Sequence, residues 1–185
     1  MERDPDRQDP LLDPAGLAES FQPIVGRAVT LRPLRRADHD IELAFVSGLS
    51  PETRHNRLLG GAIRITREYI ERLTSVDLAR DMALAAAVMH DDHEALIGVA
   101  RYVLEPDGRA CEFALVIADA WQGHGIGRRM MEKLIAIARA RGLERIYGDV
   151  LSTNLHMLDF CRKLGFLLGR LQDDPTVTRV TLKLR

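Results

Sequence analysis

The sequence is short of most features that would assign it quickly. It holds two cysteines, Cys111 and Cys161, too few for a disulfide framework and in keeping with a reducing cytosol. Lysine and arginine number 26 against 27 acidic residues, so the net charge of −1 gives no global basic surface for nucleic acid or for an anionic membrane. No apolar run is long enough to span a bilayer, and the opening stretch MERDPDRQDPLLDPAG lacks the continuous apolar core of a signal peptide. The dinucleotide fingerprint G-x-G-x-x-G is absent, as is the phosphate loop G-x-x-x-x-G-K-[ST]. Internal repeats and low-complexity linkers are missing as well. Together these absences lead us to expect a soluble, cytoplasmic chain of 185 residues, folded as one domain around a substantial core.

What is present reads as an α/β unit of the α+β kind. Residues 1–23, rich in Asp, Pro and Arg, are expected to form a flexible arm with a short helical piece near Leu17 to Phe21. The domain then covers 24–185. RAVTLRPL (27–34) alternates as a strand should, and 36–49 has helical spacing. In 50–59 Ser50 suits an N-cap, Pro51 the first helical position, and Glu52 the helix dipole. A further helix is expected over 66–75, and three antiparallel strands over 81–118, with turns at HDDHE and EPDGR. The first of these strands is alanine-rich, an unusual composition for a strand. Ile126, Met130, Leu134 and Ile137 make one stripe of a helix over 126–141, capped by Gly142. A strand (144–151), a helix (154–164) closed by Gly165, and a final alternating strand (176–184) complete the chain.

The most informative stretch is CEFALVIADAWQGHGIGRRMMEKLIAIARARG, residues 111–142. Glycines at 123, 125 and 127 stand where an apolar strand gives way to a helix. The first turn of a helix leaves its N–H groups unpaired and carries partial positive charge. Glycines there let the backbone turn tightly and bring those donors close to a bulky anion such as a pyrophosphate. Glycines at such a junction also serve a plain tight turn.

The pattern Q/R-x-x-G-x-G/A, met by Gln122, Gly125 and Gly127, resembles the pyrophosphate loop of the GNAT superfamily of acyl-CoA-dependent N-acyltransferases. NLHMLDFCRKLGF (154–166) is similar to that family's Asn-containing helix ending in K-x-G-F. CEFALVIADAWQGHGIG and LSPETRHNRLLG (49–60) look like stretches of its bacterial protein-lysine acetyltransferases. The resemblance spans roughly 27–185. It implies a GNAT fold: a mixed, mostly antiparallel central sheet, splayed in the middle and flanked by helices. It also implies acetyl-CoA as acyl donor, no metal, and direct transfer of an acetyl group to a primary amine.

Residue by residue, the resemblance assigns coenzyme A contacts to Gln122, Gly123, His124, Gly125, Ile126, Gly127 and Arg128, chiefly through backbone amides. Val116 and Ile117 would meet the pantetheine arm, the Leu115 amide the oxyanion, and Asn154 the coenzyme. Asn154 suits a helix N-cap equally well. Glu112 takes the position of the general base; its alternative is a solvent-facing residue, although Ala114, Val116 and Ala118 on the same face are small or apolar. Where many relatives carry a tyrosine as the acid for the departing thiolate, this chain has Cys161, either a proton donor or plain core. The acceptor is left open between a protein lysine and a small-molecule amine, as is the choice between monomer and homodimer. A non-catalytic acyl-CoA sensor is the alternative from outside the enzymes.

Overall fold

The computed structural model describes residues 14–61, 64–77, 80–171 and 173–185. In chain order the elements are α1 (Pro14–Leu17), β1 (Glu19–Ile24), β2 (Arg27–Pro33), α2 (His39–Gly48), α3 (Pro51–Arg57), α4 (Arg67–Thr74), β3 (Met82–His90), β4 (His93–Leu104), β5 (Ala110–Ile117), α5 (Ile126–Ala140), β6 (Arg145–Leu151), α6 (Leu155–Lys163), β7 (Leu167–Arg170) and β8 (Val177–Lys183). The strands form one sheet in the order β1-β2-β3-β4-β5-β6-β8-β7. Every neighbouring pair is antiparallel except β5–β6.

Two expectations need correction here. The helical piece near Leu17 to Phe21 is instead the end of α1 followed by β1, which pairs antiparallel with β2, so the sheet begins inside the stretch read as an arm. Tertiary contacts explain the strand: Glu19 accepts from Arg129 of α5 at 2.8 Å, and the Arg129 guanidinium lies 4.5 Å over the Phe21 ring. Residues 1–13 of the expected arm lie outside the described residues. Second, the strand before the glycine loop is not purely part of an antiparallel run. A helical crossover returns the chain to the same end of the sheet, so β5, α5 and β6 make one parallel β-α-β unit.

Each face of the sheet is covered. One carries α5 and α6, with Met130, Leu134 and Ile137 fully buried against Leu84, Ala100 and Phe113. The other carries the α2 side, where Leu34, Phe45 and Leu49 pack on Ala85, Ala87 and Val99. Burial on both sides accounts for the alanine-rich β3: Ala83 to Ala87 have no face that reaches water, and small side chains let both layers approach. Among the described residues no helix is long and apolar enough to cross a membrane.

The sheet opens between β5 and β6. Their ladder holds only Ala110↔Arg145, Cys111↔Ile146 and Glu112↔Tyr147, whereas β5 runs on to Ile117 and β6 to Leu151. On its other edge β5 stays paired with β4 as far as Gly98↔Ile117. A wedge sits at the fork: the Phe113 ring lies where a Cβ on Gly148 of β6 would come within 2.7 Å, and it packs on Phe166 at 5.3 Å between centroids. The register irregularity nearby falls in the β3–β4 pair, between Ala86 and Ala87, rather than at the fork.

Gly148→Ala should therefore cost about 1–3 kcal/mol in urea unfolding, as overpacking does. Adding Phe113→Leu should recover part of that loss; equal loss with either ring size would show that the wedge is not the point of contact.

Candidate active site

Between the diverging strands lies a cleft of about 760 Å³, within the usual range for ligand sites. Glu112, Leu115, Ile117 and Asp149 line its floor, Gly123, Gly125, Gly127 and Arg128 one end, and α3 and α6 its sides. From Phe113 to Ile117 the β6-facing edge of β5 has no strand partner, so alternate backbone groups point into the opening.

The glycine loop has the geometry its composition suggests. Gly123 and Gly125 both sit at φ +79°, a left-handed conformation that glycine adopts without strain, and Gly125 is the N-cap of α5. No side chain caps this helix. The first helical bond runs from the Arg129 amide to the Gly125 carbonyl at 3.1 Å. Among the described residues, no protein acceptor meets the amides of Gly123 through Arg128. A fifteen-residue helix thus presents its positive end and a cluster of free donors to the cleft. This donor set fits the diphosphate of a coenzyme A molecule, and the free β5 edge fits its amide-bearing pantetheine arm.

The side chains of the loop do other work. The Gln122 amide donates to the Ile117 carbonyl at 3.0 Å and to Thr53 Oγ1 at 3.3 Å, bracing the loop against α3. Arg128 pairs with Glu132 at 2.8 Å. Ile126 is core, and His124 faces a separate groove with Arg129 and Lys133, so neither side chain lines the cleft. Asn154 lines the cleft and caps α6, its Oδ1 accepting from the Met157 amide at 3.1 Å. Cys161 is not brought to the cleft. It is 0% exposed in the core, where desolvation pushes its thiol up to about 12, so proton donation at the site falls away from it. Phe160 and Met157 face the cleft in its place.

Glu112 stands at the last rung before the fork. Solvent reaches it, yet protein crowds its carboxyl enough that desolvation raises its pKa. Asp149 and Glu105 add to the rise, while Arg179 and Arg57 oppose it. The ring of charge around it is ordered: Arg179 donates two bonds of 2.8 Å to Asp149 and lies 4.5 Å over the Tyr147 ring, and the Tyr147 hydroxyl donates to Glu105.

Sequence reasoning missed Asp119. Its carboxylate accepts from the Ser50 amide at 3.1 Å, the Ser50 hydroxyl at 2.7 Å and the Thr53 hydroxyl at 2.7 Å, tying the head of α3 to the chain just before the loop. Ser50 is also the expected N-cap, accepting from the Thr53 amide at 3.1 Å. The S-P-E-T stretch carried this signal, because its two hydroxyls exceed what one helix cap requires.

A model of the acetyltransferase (GNAT) family matches residues 59–166. The chain is 37% identical over 151 residues to acetyltransferase PA5475 of Pseudomonas aeruginosa, covering 82% of this chain and 81% of that protein. Its fold matches the GNAT domain of S. lividans PAT with a TM-score of 0.80, at 24% identity over 92% of this chain and 98% of that one. It also matches spermidine N-acetyltransferase from Vibrio cholerae, solved in complex with CoA and spermine, with a TM-score of 0.69 at 18% identity, covering 84% and 95%.

The hydrogen bonds from Ser50 and Thr53 hold the Asp119 carboxyl down at about 2. Because that value is depressed below the unfolded one near 3.9, the tie stabilises the fold above the unfolded value and fades as pH falls towards about 2. Asp119→Asn should be weaker than wild type in urea at neutral pH. The gap should close between about pH 4 and about pH 2, read by the emission of Trp121, the only tryptophan. A gap independent of pH would mean that the charge of Asp119 does not hold the tie.

Proposed function

The chain belongs to the acetyltransferase (GNAT) family, and on that premise we propose that it moves an acetyl group from acetyl-CoA directly to a primary amine, with Glu112 as general base. The observation that carries this reading is the set of partnerless amides from Gly123 to Arg128, opening onto the same cleft as Glu112 and the free edge of β5.

In this reading the α5 head and the loop amides hold the diphosphate, with Arg128 adding charge. The pantetheine arm lies along Val116 and Ile117 like an added strand, and Asn154 flanks it while capping α6. The thioester carbonyl then sits near the fork. An alkylamine with a pKa near 10.4 is only about 0.1% neutral at pH 7.4, a penalty of roughly 4 kcal/mol. Glu112 takes that proton, directly or through one water, and the crowding that raises its pKa makes it a better base than a free carboxylate. The nitrogen lone pair attacks the thioester carbon, and the Leu115 amide meets the resulting oxyanion, a contact of the kind worth about 3 kcal/mol. As the carbonyl reforms, the carbon–sulfur bond breaks and the thiolate takes its proton from solvent, since Cys161 is out of reach.

The acceptor is a protein lysine or a small-molecule amine. Glu52, Glu112 and Asp149 on the cleft wall suit a cation in either case. We place the reaction in the cytoplasm, which suits two free, buried cysteines.

Glu112→Gln should lower kcat by about 10²- to 10⁴-fold in a thiol-release assay, while acetyl-CoA affinity by calorimetry stays within a factor of a few. Cys161→Ala should retain turnover per folded molecule. Full turnover in Glu112→Gln would remove the base assignment, and tight acetyl-CoA binding with no transfer to any amine would turn the protein into a sensor.

A further inference from the structure

We propose that the acceptor carries a carboxylate beside its reacting amine and that Arg57 reads it; the inference rests on the acetyl-transfer reading above. Arg57 closes α3. Its side chain forms part of the wall between the cleft beside Glu112 and an enclosed cavity of about 30 Å³ behind Ala114 and Val116. The acceptor amine must approach Glu112 from this side, because the other end of the cleft belongs to the loop and α6.

Arg57 differs from the arginines around it. Arg101 is bonded to Glu42 at 3.1 Å and to the Leu73 carbonyl at 3.0 Å. Arg179 holds Asp149, and Arg128 holds Glu132. Arg57 is half-buried, yet its side chain has neither an ion pair nor a hydrogen bond among the described residues. A second donor on the same helix shares this condition. Arg54 spends one nitrogen on the Leu49 carbonyl at 2.9 Å, but its buried Nε has no acceptor and borders the same enclosed cavity.

The surroundings decide what these donors want. The cavity wall is largely apolar, with Phe45, Val46 and Val116, so it offers no neutral acceptor that would occupy the open N–H groups before an anion arrives. The one carboxylate in that wall, Glu42, is 1% exposed and has its Oε1 engaged by Arg101. Its Oε2 has no partner, and Arg57 is not bonded to it. A guanidinium with open N–H groups matches a carboxylate in plane and charge better than any neutral group does. The site therefore recognises two charges of opposite sign on one acceptor: an ammonium for Glu112 and a carboxylate for Arg57. Occupying Arg57 also serves the chemistry. Arg57 is among the groups that pull Glu112 down, and a carboxylate seated on it cancels that pull.

That carboxylate has two possible sources: the α-carboxylate of a free amino acid, or an acidic side chain next to a lysine in a peptide. Two acceptor pairs separate them, with kcat/KM as the readout: L-lysine against 1,5-diaminopentane, and acetyl-Asp-Lys-amide against acetyl-Asn-Lys-amide. Wild type should favour the carboxylate-bearing member of at least one pair by about tenfold or more. Whichever pair discriminates names the source. Arg57→Met should bring that ratio close to one, and Arg57→Lys should keep part of it. Ratios near one in wild type would overturn the proposal while leaving acetyl transfer intact. So would an Arg57→Met variant that slows both members of a pair in step. Transfer to other amines of a broad amine and protein panel but to none of these four would overturn the proposal alone; acetyl-CoA binding with no transfer across the whole panel would bring down the transfer reading and this inference with it.

Discussion

Everything functional in this molecule depends on β5 leaving β6 after Glu112↔Tyr147. A closed sheet would spend the backbone donors and acceptors of Phe113 to Ile117 on β6, and no cleft would exist. The separation follows from packing. The Phe113 ring occupies the space beside Gly148 that a continued ladder would need, and only a glycine lets the β6 backbone come that close. The crossover through α5 then brings the helix head to the mouth of the same opening. Free strand edge, free helix amides and Glu112 thus meet at one place through a single break in the sheet.

The two halves of the cleft are mechanically linked. Asp119 and Gln122, on the chain between β5 and α5, both bond to the head of α3, and α3 carries Arg57 at its other end. Whatever positions the loop therefore also positions the opposite wall of the cleft. The electrostatics divide along the same line: positive helix amides at one end of the cleft, and Glu112, Asp149 and Glu105 around the other, with Arg179 and Arg57 restraining them.

Local features were legible in the sequence because their causes are local. The α5 stripe, the Ser50 cap and the left-handed glycines each depend on residues within a turn or two of one another. Even the alanine-rich β3 was readable as a strand, although the reason for its alanines, burial on both faces, only the packed structure supplies. What escaped depends on partners distant in sequence. β1 is held by β2 and by Arg129, 110 residues from Glu19. Asp119 meets Ser50 across 69 residues. The Cys161 position matched a catalytic slot by spacing alone, but spacing on a helix does not say which face turns inward, and this one does. Glu112 was singled out by the family resemblance of the stretch before the glycine loop. The desolvation and charge that tune it come from packing and from residues distant in sequence: Asp149 on β6, Arg179 on β8, Glu105 just past the end of β4, and Arg57 on α3.

The central claim is that the amides heading α5 hold the donor's diphosphate, and amide-resolved NMR tests it most directly. Titration with coenzyme A, and separately with ADP, should move the backbone N–H signals of Gly123 through Arg128 strongly, while pantetheine, which lacks the diphosphate, should leave them nearly in place and shift Val116 and Ile117 instead. Gly123–Arg128 signals that stay still while coenzyme A saturates the protein would contradict the account.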